Sequence, residues 1–433
     1  MRTLFYTLYT IHYTLIAGLS AVVSEKEPVQ LIVDTDLGFD VDDVGALAVA
    51  NYLQDIGECE ILGVIHNTGF FKGIGGVDVI NNWYSRRNLE YGAYRDEWGS
   101  SDDAQNAQDA YTSSIEYDYP SDVQNYEQVY DDVKGYQAAL NKARNNSVVI
   151  ASVGEPTALR NILKADYDLF VSKVKEIHYM DGGYNFGCGD SDGSGWSPWL
   201  GSTEDCDGAA QYVIEHVPKS IKQVFSLNGE DIYTGSRFNE GCGDGPVKEA
   251  YQIWTDHGSR PSWDPIMVYI AVMGTDSLYS TAYAGTNYVT YYGDEDFDNS
   301  NTDNNQFQVW IDGEHNDDVA HILDSIICAA PCGSTKSIGG CSGYTLQSSK
   351  NCYGDRDGNG WHGADDLEDP ADSSCGVMTL AACQSMCDNT DGCDGISVSA
   401  AGDGQVNCYR KANIDIELCD WFPKIDTYTR NRR

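Results

Sequence analysis

Val33-Asp34-Thr35-Asp36-Leu37-Gly38-Phe39-Asp40-Val41-Asp42-Asp43 places five carboxylates within ten residues. The run into it, Val29-Gln30-Leu31-Ile32-Val33, is short, rich in branched side chains and followed by a glycine turn, which predicts a buried strand. The run out of it, Val44-Gly45-Ala46-Leu47-Ala48-Val49-Ala50, is apolar at helical spacing. Asp42 or Asp43 suits the first turn of that helix, where unpaired N–H groups favour negative charge. The acidic loop thus lies at the carboxyl end of a strand, where open α/β sheets hold ligands. Five adjacent carboxylates repel one another unless a cation neutralises them, and an all-oxygen donor set selects a hard ion, Ca²⁺ or Mg²⁺. Helix capping and solvated charge explain one or two of these aspartates, not five.

The alternation of strand and helix continues outward. Glu60 to Asn67 reads as a second strand and Val77 to Tyr84 as a helix. Ser147 to Val153 reads as a third strand, ending in Gly154-Glu155-Pro156-Thr157, with Ala158 to Ala165 as the next helix. Glu176 to Met180 is a fourth strand, ending at Asp181-Gly182-Gly183. Gln211 to His216 and Gln223 to Leu227 add another helix and strand. Such alternation means parallel crossovers and an α/β, doubly wound, mostly parallel sheet. Residues 92 to 128, rich in Tyr, Asp, Ser and Gln with little periodicity, read as an extended surface insertion. Asp264-Pro265 opens the apolar helix Ile266 to Met273; Asp as N-cap and Pro at the first helical position explain that pair structurally.

The chain has 433 residues, enough for two domains, and a formal net charge of -40 from 67 acidic and 27 basic side chains. That surface repels phosphate backbones and anionic lipid, which makes nucleic-acid polymers and, after signal cleavage, membranes poor partners. Ten of the 14 cysteines, from Cys328 to Cys419, crowd into the last quarter. No zinc-ligand spacing occurs among them, so the pattern reads as a small disulfide-rich C-terminal domain of an exported protein. Arg2 followed by the largely apolar Leu4 to Val23, with small residues at Ser20, Ala21 and Ser24, predicts a signal peptide over 1–24. An uncleaved anchor is the alternative for that run; its Tyr, Thr and His interruptions favour cleavage. Asn145-Asn146-Ser147 is a glycosylation sequon in a secreted chain. The expected division is 28–330 for the sheet domain, 331–340 for a Gly/Ser-rich linker and 341–433 for the module.

Two further motifs lead nowhere. Gly189-Asp190-Ser191-Asp192-Gly193 matches a serine-hydrolase elbow but lacks the flanking strand and helix. Asp355-x-Asp357-x-Asn359-Gly360 matches half of a calcium loop without flanking helices and reads as a loop of the module. Aspartyl-phosphate chemistry also uses D-x-D after a strand and needs Mg²⁺, but it gives Asp42-Asp43 no role. A Mg²⁺-dependent phosphohydrolase therefore stands as an alternative function.

Asp34-Thr35-Asp36-Leu37-Gly38-Phe39-Asp40-Val41-Asp42-Asp43 resembles the N-terminal signature of inosine/uridine-preferring nucleoside hydrolases, D-x-D-P-G-x-D-D, with extra residues before the last pair and Leu37 for Pro. Ala151-Ser152-Val153-Gly154-Glu155-Pro156-Thr157 resembles the family's T-G-x-x-T-N turn. Met180-Asp181-Gly182-Gly183 resembles its M-G-G strand end, and Trp263-Asp264-Pro265 its H-D-P. The resemblance spans about residues 28 to 328. It implies one Ca²⁺ held by Asp36, Asp43, the main-chain oxygen of Val153, and Asp264. Asp36 becomes the base that takes a proton from the attacking water, Asp42 holds ribose hydroxyls, and Asn67 and Asn185 contact the sugar. The product is free ribose and base from a ribonucleoside or related N-ribosyl compound. Two departures matter. Trp263 stands for the family's His and can stack on a base but not protonate it near neutral pH. Phe70 stands where a sugar-contacting Asn is expected. A non-catalytic ribose- or glycan-binding relative is thus the other alternative. Cys383-x3-Cys387-x5-Cys393…Cys408 resembles a PAN/apple-type module, which implies a protein or carbohydrate ligand and the pairs Cys387–Cys393 and Cys383–Cys408.

Overall fold

The computed structural model describes residues 27–180 and 208–331 apart from 227, 240, 241, 243, 256, 257 and 330, together with discontinuous parts of 344–430. The expected signal peptide, the hydrolase-elbow and half-calcium-loop motifs, Asn185 and nearly all of the expected linker lie outside the described residues. Strands β1 (Val29–Thr35), β2 (Cys59–His66), β3 (Glu90–Ala93), β4 (Tyr130–Asp131), β5 (Val148–Ser152), β6 (Val174–Met180) and β7 (Lys222–Ser226) belong to one sheet. A short ribbon, β8 (Tyr233–Thr234) with β9 (Arg260–Pro261), stands apart from it. The large sheet is completed by β10 (Ser280–Val289), β11 (Glu295–Asp298) and β12 (Gln306–Ile311), in the order β11-β10-β12-β7-β6-β5-β1-β2-β3-β4. Every pairing from β12 to β4 is parallel; only β10, between β11 and β12 at one edge, runs against the rest.

The buried first strand explains the layering. Leu31 and Val33 point into one apolar core and Ile32 into the other, all three without solvent exposure. A strand buried on both faces reads as a continuous apolar run because it must be covered twice. Helices Asp42–Asp55, Gly73–Trp83, Trp263–Met273 and Asn316–Ile327 cover one face, and Asp132–Lys142, Thr157–Ala165, Tyr167–Lys173 and Ala209–His216 the other. The doubly wound reading holds.

Three expectations need correction. Residues 92 to 128 are not an extended insertion: they include two helices, Asp102–Gln108 and Thr112–Asp118, and bury Tyr94, Trp98 and Tyr111. Helices of seven residues are under two turns, too short to show a period. The second helix begins at Gly73, four residues before Val77, although glycine is a poor helix former. Its glycines serve packing, since a Cβ at Gly73 would lie 2.0 Å from the His66 ring and one at Gly76 2.8 Å from Leu37. The helix expected at Ile266 starts at Trp263, with Ser262 at the cap position and Asp264 inside the first turn.

The C-terminal strands pair among themselves, in a six-stranded sheet built largely on Gly395–Gly402, Gln405–Ala412 and Ile425–Arg430. Cys383–Cys408 and Cys387–Cys393 are bonded, and so is Cys352–Cys419. Cys328, grouped by sequence with this cluster, instead bonds to Cys242. Among the described residues no helix is long and apolar enough to cross a membrane.

Candidate functional site

From β1 the chain builds β2, β3 and β4 to one side, then returns to place β5, β6 and β7 on the other. The order of strands reverses between β1 and β5, and in sheets of this kind the ligand crevice lies beyond the carboxyl ends at that point. Every residue of the site comes to that crevice. The acidic loop leaves β1 at Thr35, Asn67 follows β2, Val153-Gly154 follows β5, and Trp263-Asp264 begins the helix packed beneath the loop.

Short links fix these segments to one another. Val153 N–H donates to the Asp34 carbonyl at 2.7 Å, and Asn67 N–H to the Thr35 carbonyl at 2.9 Å. The Asp34 carboxylate accepts from Tyr136 O–H and Asn67 Nδ2, so it is a structural anchor with both oxygens engaged. Gly154 brings the β5 loop against Asp36: a Cβ there would lie 2.6 Å from Asp36 Oδ1 and 2.7 Å from its backbone nitrogen. Backbone on one side of that clash cannot yield, so Gly154→Ala is expected to cost about 1–3 kcal/mol of stability and to weaken cation binding. Thermal denaturation with a calorimetric Ca²⁺ titration checks both. A variant matching wild type in each would mean that the β5 loop does not define Asp36.

Asp42, Asp43 and Asp264 form the centre, each offering one carboxylate oxygen within 4.8 Å of the other two. With Asp34, Asp36 and Asp40 they make six aspartates, none more than 6% exposed. Thr35 Oγ1 donates to Asp43. Asp42 Oδ2 accepts the N–H groups of Trp263 at 3.2 Å and Asp264 at 3.3 Å. Asp42, distant in sequence, therefore caps the helix that Asp264 was expected to cap, and Asp264 is released from that duty. Its Oδ1 is fully buried and has no hydrogen-bond partner. An orphaned carboxylate oxygen is costly unless something absent from the protein itself satisfies it.

Burial comes first in raising these acids and like-charged neighbours come after it. Asp36 is pushed up to about 7 by burial and then by Asp40. Asp43 is held well above the usual carboxylate range by burial, then by Asp36 and Asp42; Asp264 by burial, then by Asp42 and Asp43. A divalent cation reverses that balance, because it favours the ionised forms. The donor set, all oxygen, and the orphaned Oδ1 fit a hard divalent ion.

Of the residues expected to act, Asp36, Asp42, Asp43, Asn67, Val153, Trp263 and Asp264 all stand at this crevice, with Asp36 beside the triad rather than within it. Asn67 keeps an unpartnered, buried Oδ1. Phe70 is buried against Gly38, where a Cβ would be 2.8 Å from its ring, and so serves packing. Sequence reading missed Arg260, whose guanidinium meets Asp40 through Nε at 2.9 and 3.0 Å. It also missed Tyr111, whose O–H donates to the Asp40 carbonyl at 2.6 Å. The one available signal was a lone cation just ahead of Trp263-Asp264 in a chain this acidic.

No protein-family model and no curated protein matches the chain. Solved structures do. The type III effector protein XopQ, complexed with adenosine diphosphate ribose, aligns with TM-score 0.52 and 14% identity over 71% of this chain and 95% of that one. A plant nucleoside hydrolase aligns with TM-score 0.50 and 17% identity over 70% and 99%. The inosine-uridine preferring nucleoside hydrolase from Bacillus anthracis gives TM-score 0.50 and 13% identity over 69% and 99%. The large, mostly parallel sheet with its helices is the fold of the nucleoside hydrolases.

Proposed function

We propose that the protein is a Ca²⁺-dependent hydrolase of the N-glycosidic bond in ribonucleosides or related N-ribosyl compounds. The observation that carries this reading is the buried triad Asp42, Asp43, Asp264, with its orphaned Asp264 Oδ1, in the crevice of this fold. Asp36, Asp43, Asp264 and the Val153 main-chain oxygen would hold the ion, with Asp42 next to them. When bound, the ion neutralises these carboxylates, raises the acidity of the attacking water and aligns ribose hydroxyls.

The remaining steps belong to the protein. Asp36 takes the proton from the attacking water. Asp42, whose Oδ2 is engaged at the helix terminus, offers Oδ1 to a ribose hydroxyl, and Asn67 offers its free Oδ1 to another. As the bond to the base breaks, positive charge develops on the ribosyl ring and the buried carboxylates stabilise it. Trp263 provides a stacking face for the leaving base. The phosphohydrolase alternative fits poorly, since Asp34 has both oxygens occupied and buried.

Ribose release from a nucleoside panel, with and without a Ca²⁺ chelator, tests the proposal. Chelator-sensitive release is expected, and it ranks the bases. Folded, Ca²⁺-binding protein that releases no ribose would favour the sugar-binding alternative, for which Trp263 in the position of a proton donor is the supporting feature. Trp263→Ala is expected to raise KM by roughly 5- to 15-fold, the size of a lost aromatic stack with its buried area. An unchanged KM across the panel would remove the indole from base binding.

Export fits the same reading: the bonds Cys242–Cys328, Cys352–Cys419, Cys383–Cys408 and Cys387–Cys393 persist in oxidising compartments. We place the boundary of the sheet domain at 331–340 and assign the module beyond it a protein or carbohydrate ligand.

A further inference from the structure

We infer that Arg260, anchored by Asp40, is a positioning residue that sets the Trp263 indole in the orientation used to receive the leaving base. The inference rests on the nucleoside reading above and extends it to two residues that have no role in it.

Arg260 is committed to Asp40 along one edge of its guanidinium. Its Nε lies 2.9 and 3.0 Å from the two oxygens of Asp40, and a terminal nitrogen donates to Asp40 Oδ2 as well. Asp40 is itself fixed. Its side chain is 8% exposed, its Oδ1 accepts its own loop's Val41 N–H at 2.6 Å, and its carbonyl accepts Tyr111 O–H at 2.6 Å. A guanidinium clamped in this way is a rigid planar surface rather than a mobile charge.

That surface lies over the indole, with the guanidinium carbon 5.0 Å from the Trp263 ring centroid. Gly229 packs against the same residue: a Cβ there would stand 2.6 Å from Trp263 Cδ1. Gly229 also has a φ of +150°, a conformation side chains rarely adopt. The backbone of Trp263 is tied separately, through its N–H on Asp42. Main chain and ring of Trp263 are therefore held by two different aspartates of one loop. Asp42 fixes where the residue starts and Asp40, through Arg260, fixes where the ring lies. Asp40 falls in the stretch by which this loop exceeds the usual D-x-D-P-G-x-D-D pattern, and Arg260 is its counterpart 220 residues away. An indole held in one orientation binds a planar base without first giving up rotamer freedom.

The test is a double-mutant cycle read by binding as well as by rate. Wild type, Arg260→Met, Trp263→Ala and the double variant, each saturated with Ca²⁺, are titrated with inosine by calorimetry in an Asp36→Asn background that blocks turnover, and KM and kcat are measured in parallel with Asp36 intact. Arg260→Met is expected to weaken inosine binding roughly 3- to 30-fold when Trp263 is present, the range of a partly desolvated cation–π contact. In the Trp263→Ala background the same change is expected to shift binding by less than about twofold. KM should rise by more than kcat falls. Full additivity of the two substitutions would overturn the inference, as would an effect confined to kcat. If Arg260→Met leaves Asp40 buried and unpaired and the protein misfolds, Asp40→Asn with Arg260→Met removes both charges and takes its place in the cycle. Inosine binding with the expected coupling but without ribose release would sink the hydrolase reading and leave this inference standing. If inosine does not bind, the member of the nucleoside panel with the highest kcat/KM takes its place, and no binding of any member by folded, Ca²⁺-loaded wild type would overturn both.

Discussion

Asp36→Ala is expected to lower kcat/KM for ribose release by roughly 10²- to 10⁴-fold, the range lost with a general base. Ca²⁺ affinity should fall in the same variant. Asp36 stands beside the triad, its carboxylate pressed toward the β5 loop by Gly154 and its charge felt by both Asp43 and Asp264. Asp36→Asn separates the two roles, because it keeps the shape and one oxygen while removing the base. A rate like that of wild type in Asp36→Ala would sink the assigned mechanism. Normal Ca²⁺ affinity with a lost rate would leave Asp36 as base alone and restrict the ion to Asp43, Asp264 and the Val153 main-chain oxygen.

The second large effect concerns stability. Asp34 and Asp36 rise from 3.8 to about 7 in the ion-free protein, in both cases chiefly through burial. A carboxyl whose folded pKa is raised keeps its proton in the folded state after the unfolded chain has lost it. Its contribution is fully present below the unfolded pKa and is lost as pH rises through the folded one. Ion-free protein should therefore lose stability between about pH 4 and pH 7, on the order of 4 kcal/mol for Asp34 alone. Bound Ca²⁺ favours the ionised forms of the ligand carboxylates and opposes that loss. At a hundred times its Kd an ion adds about 2.7 kcal/mol, or roughly 3–5 °C in Tm for a chain of this length. Thermal denaturation with Ca²⁺ and with chelator should show that gap at pH 8 and little of it at pH 5. Equal gaps at the two pH values would remove cation binding as the reason for these buried acids.

What the sequence disclosed follows from distance along the chain. Strand, acidic loop and helix are consecutive, so periodicity and spacing mark β1 and the acidic cluster, within which the family resemblance singles out Asp36, Asp42 and Asp43. Asp264 stood out because Asp-Pro precedes an apolar helix, yet its expected capping role was wrong. Asp42 takes that position from far away, and no local rule can anticipate a cap supplied by another element. Arg260 and Asp40 are illegible for the same reason. Residues 92 to 128 failed differently. Ser101 does cap Ala104 N–H at 3.2 Å, a signal present in the sequence. The helix it introduces and the uncapped one after it are too short for periodicity, and buried tyrosines look the same as exposed ones on paper. Phe70, which suggested a missing sugar contact, is instead packing that supports the Gly38 turn.

The pairing of Asp40 with Arg260 across 220 residues also sets a timetable. At synthesis rates of about 5–20 residues per second, the acidic loop exists for roughly 10–40 s before its counter-charge and the last carboxylate of the centre are made. Throughout that interval β1 lacks its neighbour β5 for a large part of the wait, and the loop has no cap to provide. The crevice cannot nucleate folding; it is completed last, by the segment carrying Arg260, Trp263 and Asp264. A newly made chain therefore has no complete place for a divalent ion until residue 264 is present, and the ion it then meets is that of the compartment the chain has reached by that point.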